Sequence, residues 1–233
     1  MLIFEPPLQE GVLIKRYKRF LADIELDGEI VTAHCPNPGA MTGCAEPGWQ
    51  VAVSKSTNPK RKLPYTLEMV HNGQSWIGVN TQRANLIVEE ALLAGLIPEL
   101  RGYRWQREVR YGEKSRIDFL LRSLPERGTE SLCYLEVKSV TLLKEGQYQF
   151  PDSVTLRGQK HLLELQKVVA DGQRAVLLFV VQRQDGDGFS AAAEIDPVYA
   201  KLLKESRKLG VEQLVWQAQL TPESWGLERQ LAD

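Results

Sequence analysis

Apolar and polar residues alternate with the period of two that is typical of β-strands over much of the first eighty residues. Two such runs, residues 19–26 and 29–35, flank Asp27-Gly28, a strong signal for a hairpin turn. Further runs cover residues 49–54, 63–70 and 74–79, and Asn72-Gly73 marks the turn between the last two. About five short strands with long loops are typical of a small β-barrel, although a sandwich would give a similar pattern.

After residue 80 the apolar positions recur with the period of a helix. Asn80-Thr81 can cap a helix from about Gln82 to Ala94, which Gly95 would end. The apolar face of this helix consists of Ala84, Ile87, Val88, Ala91 and Leu92. A second helix is predicted over 155–170, with Leu162, Leu165 and Val169 facing inward, and a third over 197–209.

Strands are predicted between these helices. They cover residues 103–111, 115–122, 132–142, 175–181 and 213–219, with a turn at Gly112 and a polar loop over 123–130. The run 175–181 is almost wholly apolar, as expected of a strand covered on both faces. We therefore predict a mixed α+β chain: an OB-like small β-barrel in residues 1–80, then an α/β domain in residues 81–233.

Composition narrows the location of the protein. Of 233 residues 43% are hydrophobic, mean hydropathy is −0.28, and no stretch approaches twenty apolar residues, so no membrane span is expected. The N-terminal residues 1–7 contain an acid and two prolines where a signal peptide would be basic and then apolar. A cytoplasmic protein is expected.

Cys35, Cys44 and Cys133 are predicted to be buried thiols, the alternative being that the first two bind a metal with His34.

The net charge is only −1, but the basic residues are clustered. Residues 15–20 and 60–62 are cationic segments that could follow a phosphate backbone. Tyr17 and Phe20 could stack on bases, or they could simply pack the barrel. The candidate nucleic-acid-binding residues here are Lys15, Arg16, Tyr17, Lys18, Arg19, Lys60, Arg61 and Lys62.

One strand carries charged residues where a central strand is normally apolar. In the strand around Glu136-Val137-Lys138, the two charged side chains share one face. Burying such charges costs several kcal/mol unless they are paired or bind a metal. The preceding strand carries Asp118, 18 residues earlier, so a hairpin connection would bring the two carboxylates side by side.

Two adjacent carboxylates repel each other unless a cation lies between them. Mg²⁺ is the expected ion because it prefers hard oxygen ligands, and Mn²⁺ is the alternative. Lys138 could then stabilise charge that builds on a phosphate. The competing interpretation is an ordinary salt bridge on a solvated face of the sheet.

The helix predicted from residue 155 begins with further polar candidates. Arg157, Gln159, Lys160 and His161 could contact a phosphate together with the helix N-terminus, or could form an ordinary solvated first turn. We predict nucleic-acid contacts for Arg157 and Gln159 and a catalytic role for Lys160.

The order of helix, strand-borne Asp and Glu-x-Lys strand resembles the PD-(D/E)xK nuclease superfamily. Nearly the whole chain also resembles the sugar fermentation stimulation protein A family. The matching segments are RYKRFLAD (16–23), HCPN (34–37), GAMTG (39–43), VNT (79–81), SRIDF (115–119), EVKSVTL (136–142) and RGQKHL (157–162).

The resemblance implies an OB-like domain, a restriction-endonuclease-like domain, and DNA binding without sequence preference. It also implies a suspected regulatory role in sugar (maltose) metabolism. It makes Asp118, Glu136 and the Val137 carbonyl metal ligands, with Glu90 as the helical acid. Glu89 and Asn85 are alternatives to Glu90.

The chain departs from the superfamily motif in two places. Ile117 stands where the motif has proline, and Pro151-Asp152 lies after the Glu-x-Lys strand, so it is interpreted as a turn. Three functions stay open: a Mg²⁺-dependent nuclease, a DNA-binding regulator that no longer cuts, and a structural salt-bridge cluster. DNA is the expected partner, RNA is a further candidate, and a homodimer is expected by analogy with other nucleases of this kind.

Overall fold

The computed structural model describes residues 1–112, 115–123 and 131–232. The predicted polar loop over 123–130 therefore falls, from residue 124 onward, outside the described residues. No helix in the described ranges combines the length and the apolar composition needed to cross a bilayer. The three cysteines are buried free thiols, as predicted.

A closed five-stranded barrel occupies the N-terminal part of the chain. The strands of this region are β1 (Leu2–Ile3), β2 (Gln9–Tyr17), β3 (Leu21–Leu26), β4 (Glu29–His34), β5 (Gln50–Lys55), β6 (Tyr65–His71) and β7 (Trp76–Gly78). The order β4-β3-β2-β5-β6 closes because β4 also pairs with β6, and β7 extends β6. The predicted barrel is confirmed.

Turn chemistry explains the two hairpins at the start of the barrel. Asp27 and Gly28 have positive φ angles of 52° and 82°, the conformation of the predicted tight turn. Lys18 and Arg19 also have positive φ angles, of 47° and 65°, and they join β2 to β3. The strand β2 was not predicted, because the basic residues in its second half mask the apolar alternation.

A seven-stranded mixed sheet forms the core of the second region. Its further strands are β8 (Tyr103–Tyr111), β9 (Ser115–Ser123), β10 (Leu132–Val140), β13 (Arg174–Val181), β15 (Glu212–Leu220) and β16 (Ser224–Gln230). The order is β1-β16-β15-β13-β10-β9-β8, with β10, β13 and β15 parallel. The apolar strand β13 is buried on both faces, as predicted.

Helices cover both faces of this sheet. They are α1 (Gln82–Leu93), α2 (Leu156–Ala170) and α3 (Pro197–Lys208), each within two residues of its predicted bounds. The five predicted apolar residues of α1 are all buried against one face, while α2 and α3 cover the other. In α2, Leu162 and Leu165 are buried as predicted, but Val168 is more buried than Val169.

Several short strands were not predicted. A small sheet combines β11 (Leu142–Lys144), β12 (Gln147–Phe150) and β14 (Phe189–Ala191), so the strand predicted over 132–142 is divided at Thr141. The larger sheet ends in β16 and β1 rather than in the strand predicted over 213–219. Apart from β16, which has seven residues, these strands have two to four residues and are too short to show a clear period of two.

Candidate functional site

A cleft of about 530 Å³ lies between the barrel and the α/β domain. The segment that follows β4 supplies one wall. The sheet and the N-terminal turn of α2 supply the rest. Lining residues include Asn37, Pro38, Gly39, Asn85, Asp118, Glu136, Val137, Lys138, Asp152, Arg157 and His161. The cleft thus contains both acids that the sequence analysis placed together.

Strand register brings Asp118 next to Glu136. β9 and β10 are antiparallel with Leu135 opposite Phe119, so the next position aligns the two acids. There the Val137 N–H donates to Asp118 Oδ2 at 2.8 Å. Ile117 faces the α2 layer whereas Phe119 faces α1, so the alternation of β9 is interrupted at Asp118.

Helix α1 supplies a partner to the same carboxylate. Asn85 Nδ2 donates to Asp118 Oδ1 at 2.9 Å. Both oxygens of Asp118 therefore accept a hydrogen bond, one from α1 and one from β10. These two bonds fix the orientation of the carboxylate at the edge of the cleft.

Glu136 is more deeply buried, with 3% of its surface exposed. Its Oε1 accepts from Lys138 Nζ at 2.6 Å and also contacts His161 Nδ1. A carboxylate can only accept, so the proton in that contact belongs to Nδ1, and His161 Nε2 is free to accept from Arg157 Nε at 3.4 Å. Glu136 Oε2 is buried and has no hydrogen-bond partner among the described residues.

The two acids have opposite pKa shifts. Burial, and next the charge of Glu136, raise the pKa of Asp118 to about 6. Burial alone would raise the pKa of Glu136, but the Lys138 ammonium and the bond from His161 outweigh it and lower that pKa. The site thus holds one carboxylate stabilised by Lys138 and His161, and a second carboxylate that the first one repels.

These features fit a hard divalent cation. The unpartnered Oε2 of Glu136 is an oxygen that could bind such an ion, and a cation would relieve the repulsion that raises the pKa of Asp118. The donor set is small, because no three His, Cys, Asp or Glu side chains converge within the described ranges. Val137 lines the cleft and its amide binds Asp118, while the role of its carbonyl stays a prediction.

We expect Asp118→Asn to stabilise the metal-free protein at neutral pH. The pKa of Asp118 is about 6 in the folded protein and 3.8 ordinarily. Its contribution to the free energy of unfolding is therefore fully present below about pH 4 and is lost as the pH rises through about 6. The difference corresponds to an upper limit of roughly 3 kcal/mol. In the variant, the Asn85 side-chain amide can rotate so that its oxygen accepts a hydrogen bond from the amide of the new asparagine. Thermal unfolding of both proteins between pH 4 and 8 measures the effect.

The stability gap between Asp118→Asn and the native protein should widen with pH, because the variant has no carboxyl group to ionise at this position. Added Mg²⁺ should raise the midpoint of the native protein more than that of the variant. Parallel stability curves for the two proteins across this pH range would contradict the origin given for the shift.

The two predicted acids of α1, Glu90 and Glu89, do not line the cleft. Glu90 lies five residues beyond Asn85, about 140° around the helix, and its carboxylate is 3.9 Å from the Met1 amino group. The alternative Glu89 binds Arg107. The helical side chain that reaches Asp118 is Asn85.

The first turn of α2 also differs from the prediction. Lys160 does not line the cleft, and its ammonium is 3.5 Å from Glu164. Gln159 donates to both carboxylate oxygens of Asp196, the residue that caps α3. Arg157 and His161 are the members of this segment that line the cleft, because they lie on the face of α2 that is turned to β10.

Part of the first basic cluster has structural partners. The Arg16 guanidinium donates to the carbonyls of Asn37, Gly39 and Ala40, and so holds the segment that lines the cleft. The structure gives Arg16 this structural role, while its phosphate contact stays a prediction.

Lys15 and Tyr17 share a partner on the neighbouring strand. The Lys15 ammonium lies 3.5 Å from Asp23, and the Tyr17 hydroxyl donates to the same carboxylate at 3.0 Å. Their predicted contacts with nucleic acid therefore compete with an intramolecular pairing. Lys18 and Arg19, by contrast, are exposed at the hairpin.

The second basic cluster lies on the loop between β5 and β6. Lys60 and Lys62 are exposed, while Arg61 Nη2 donates to Thr66 Oγ1 at 2.7 Å. Thr66 pairs with His34 across β4 and β6, and the His34 ring stacks on Phe20. The two basic clusters consequently adjoin each other on the barrel.

Sequence reasoning missed the wall that the barrel contributes. Asp152, interpreted as a turn residue, accepts from the Met41 N–H at 3.2 Å and lines the cleft. A Cβ at Gly39 would lie 2.3 Å from Asp152 Oδ2, so only glycine permits this approach. The Pro-Asn-Pro-Gly string was the available signal, but nothing in its spacing indicates which domain it faces.

A closed barrel joined to an α/β domain with Asp and Glu-x-Lys on adjacent strands defines a class of two-domain proteins. Its first domain is an OB fold and its second is restriction-endonuclease-like. Family models agree: residues 14–79 match the SfsA N-terminal OB domain, and residues 82–224 match the sugar fermentation stimulation protein RE domain. The chain belongs to the sugar fermentation stimulation protein family.

Individual relatives match over nearly the full length. A sugar fermentation stimulation protein homolog of Geobacter sp. (strain M21) is 54% identical over 97% of this chain and 96% of its own. A homolog of Pseudoalteromonas atlantica is 54% identical over 98% of this chain and 97% of its own. The solved structure of Pyrococcus furiosus SfsA in complex with Ca²⁺ superposes with a TM-score of 0.88 at 27% identity, covering 99% and 96% of the two chains.

Proposed function

We propose that this protein binds DNA without strong sequence preference and hydrolyses a phosphodiester bond in the cleft of Asp118 and Glu136, with Mg²⁺ or Mn²⁺. The observation that carries the proposal is the buried, unpartnered Oε2 of Glu136 beside an Asp118 of raised pKa. The Pyrococcus furiosus relative was solved in complex with Ca²⁺, which supports an oxygen-ligated divalent ion in this family. We further propose that the protein acts in the cytoplasm.

The chain's own residues divide the work. Asp118, Glu136 and the Val137 carbonyl would hold the metal, which when bound polarises a phosphoryl oxygen and lowers the pKa of a water ligand. Lys138 lies one pleat from Glu136 and would offset negative charge on the phosphate in the transition state. The exposed Arg157, at the N-terminal turn of α2, would hold a neighbouring phosphate.

A second candidate is a DNA-binding regulatory factor of sugar (maltose) metabolism that does not cut. The position on α1 that reaches the site is the neutral Asn85, and both Asp118 oxygens already accept hydrogen bonds. A metal would then meet fewer free carboxylate oxygens than it would in a site with a third acid. This observation is the one that supports DNA binding without hydrolysis.

A gel assay separates the two candidates. Labelled single-stranded, duplex and branched DNA would be incubated with the full chain, with and without Mg²⁺. The nuclease proposal expects a mobility shift in EDTA and shorter products only with the metal. A mobility shift without products at any metal concentration would favour the regulatory factor, and absence of both would reject DNA as the partner.

We expect charge reversal at Lys60 and Lys62 to weaken DNA binding equally for all sequences. Each lysine that neutralises a phosphate contributes about 0.7 to 0.9 to the slope of log affinity against log salt, so the magnitude of the slope should fall by about 1.4 to 1.8. The matched control is Lys201→Glu with Lys204→Glu on α3, which makes the same change in charge on the other domain. An unchanged slope in the Lys60 and Lys62 variant would exclude the loop from the interface.

A further inference from the structure

The barrel presents an aromatic pair to solvent. Phe20 follows the β2–β3 turn, retains 42% of its surface exposed, and stacks on His34 with ring centroids 6.5 Å apart and planes 28° apart. Burial, and next the charge of Arg61, lower the pKa of His34, so its ring is uncharged near neutral pH. The exposed Phe20 ring, with the partly buried His34 ring beside it, is a surface on which a base can stack.

Cations surround this pair. Lys18 and Arg19 form the turn immediately before Phe20, and both are exposed. Arg61 lies on the other side through its bond to Thr66, with the exposed Lys60 and Lys62 flanking it. Aromatic rings between cationic side chains are the arrangement with which proteins hold a single strand, because bases stack while phosphates meet the positive charge.

The pair is also connected to the cleft. β4 ends at His34, the Cys35 N–H donates to the Phe20 carbonyl, and the next residues lead to Asn37 on the cleft wall. Three residues span at most about 10 Å, which equals about three stacked nucleotides. Arg16 holds this segment through its carbonyl bonds, so the distance between the rings and the cleft is fixed.

The cleft itself admits one backbone more readily than two. Glu136 is only 3% exposed, so a phosphate must enter the cleft to reach it. The wall from the barrel is tied to the opposite side by the bond from Met41 to Asp152. A duplex carries its phosphates on a stiff, rounded surface, whereas an unpaired strand can bend into a cavity of about 530 Å³.

We propose that the bound DNA strand is unpaired, with a base stacked on Phe20 and His34 and its backbone continuing past Asn37 into the cleft of Asp118 and Glu136. This rests on the proposed function and names its substrate class: single strands, or single-stranded segments of branched DNA. The barrel then selects the strand, and the α/β domain receives it.

The test measures binding to the full chain in metal-free buffer, where no cleavage occurs. The probes are a 12-nucleotide single strand with one 2-aminopurine, whose fluorescence falls on stacking, and the same strand annealed to its complement. The single strand should bind at least about tenfold more tightly. Phe20→Ala should weaken single-strand binding about tenfold, remove the quenching, and leave duplex binding unchanged.

Two variants serve as controls. Ile30→Ala truncates another exposed apolar side chain, 72% exposed on β4, and should change neither affinity nor quenching. Phe20→Leu keeps an apolar side chain but removes the ring. If stacking holds the base, this variant should bind as weakly as Phe20→Ala. If apolar packing holds it, the variant should bind like the native protein.

Equal affinity for the two probes, or equal weakening of both by Phe20→Ala, overturns the proposal while leaving DNA binding intact. Binding that is weakened by Phe20→Ala but restored by Phe20→Leu also overturns it, because the ring would not be needed. Binding of neither probe overturns both this inference and the proposed function.

Discussion

Asp118→Ala and Glu136→Ala should each abolish Mg²⁺-dependent cleavage of DNA while leaving DNA affinity largely intact. Each removes carboxylate oxygens that would hold the metal, and loss of one such electrostatic group costs roughly a hundredfold or more in rate. The candidate binding residues lie on the barrel and at Arg157, so neither substitution removes them. Cleavage rates at saturating DNA and affinities in EDTA are the two measurements.

The two variants should differ in stability, which provides an internal check. Glu136 is 3% exposed and accepts from Lys138, so its loss leaves a largely buried ammonium without this carboxylate. Loss of Asp118 instead removes a charge that the folded protein destabilises. Glu136→Gln, which keeps the shape, is therefore the better partner for Asp118→Ala in the cleavage assay.

A matched acid supplies the control for cleavage. Glu194 has an 81% exposed side chain that pairs with Lys144. In the sequence Glu194 is far from Asp118 and Glu136. Glu194→Ala should cleave at the native rate. Cleavage that survives Asp118→Ala and Glu136→Ala would exclude this cleft as the catalytic site.

The core of the site could be predicted from sequence because its signal is local. Charged residues at 136 and 138 in an apolar strand are conspicuous, and the loop after Asp118 is long enough for a neighbouring strand. The strand register then places Asp118 next to Glu136, because Leu135 pairs with Phe119. Residues whose roles follow from the alternation of one strand are the ones that a sequence exposes best.

Residues placed by packing between elements could not be predicted in this way. Glu90 and Lys160 have the right chemistry, but helix rotation relative to the sheet decides which side chains reach the cleft. In this fold the side chains that reach the two acids are Asn85 on α1, which contacts Asp118, and His161 on α2, which contacts Glu136. A helix has several polar positions around its axis, and only the packed fold selects one.

Contacts between a side chain and the backbone of a distant segment are the least visible of all. Arg16 was expected to meet phosphate, as a basic residue in a cationic run would, but it holds the carbonyls of a segment more than twenty residues away. Backbone carbonyls carry no sequence signature, so a cation that binds them looks like a free cation until the fold is known.

A further large effect is expected at Glu68, on β6. Its side chain is 1% exposed and accepts from four donor atoms: Nε and Nη2 of Arg83 at 2.9 and 2.8 Å, Ser54 Oγ at 2.6 Å, and Asn80 Nδ2 at 2.8 Å. Glu68→Ala would leave all of them without this acceptor and the Arg83 charge largely buried. Breaking such a pair costs about 3–5 kcal/mol of the free energy of unfolding.

The measurement is chemical denaturation of the full chain. Glu25→Ala, at an exposed acid on β3 of the same barrel, is the control and should stay within about 0.5 kcal/mol of the native protein. A change at Glu68 no larger than that of the control would mean that the four donors find other partners.

The structural reason for the cost can be isolated with a double variant. Glu68 belongs to the barrel, whereas Arg83 opens the helix that carries Asn85 to the candidate site, so the pair joins the two domains next to the cleft. If the buried charge causes the loss, Glu68→Leu with Arg83→Leu should be more stable than Glu68→Leu alone, because no unpaired guanidinium remains. Equal stability of the single and double variants would assign the loss to Ser54 and Asn80 instead. Under the proposed function, the cleavage rate should also fall if Asn85 loses its alignment with Asp118, which would couple stability to activity through the first turn of α1.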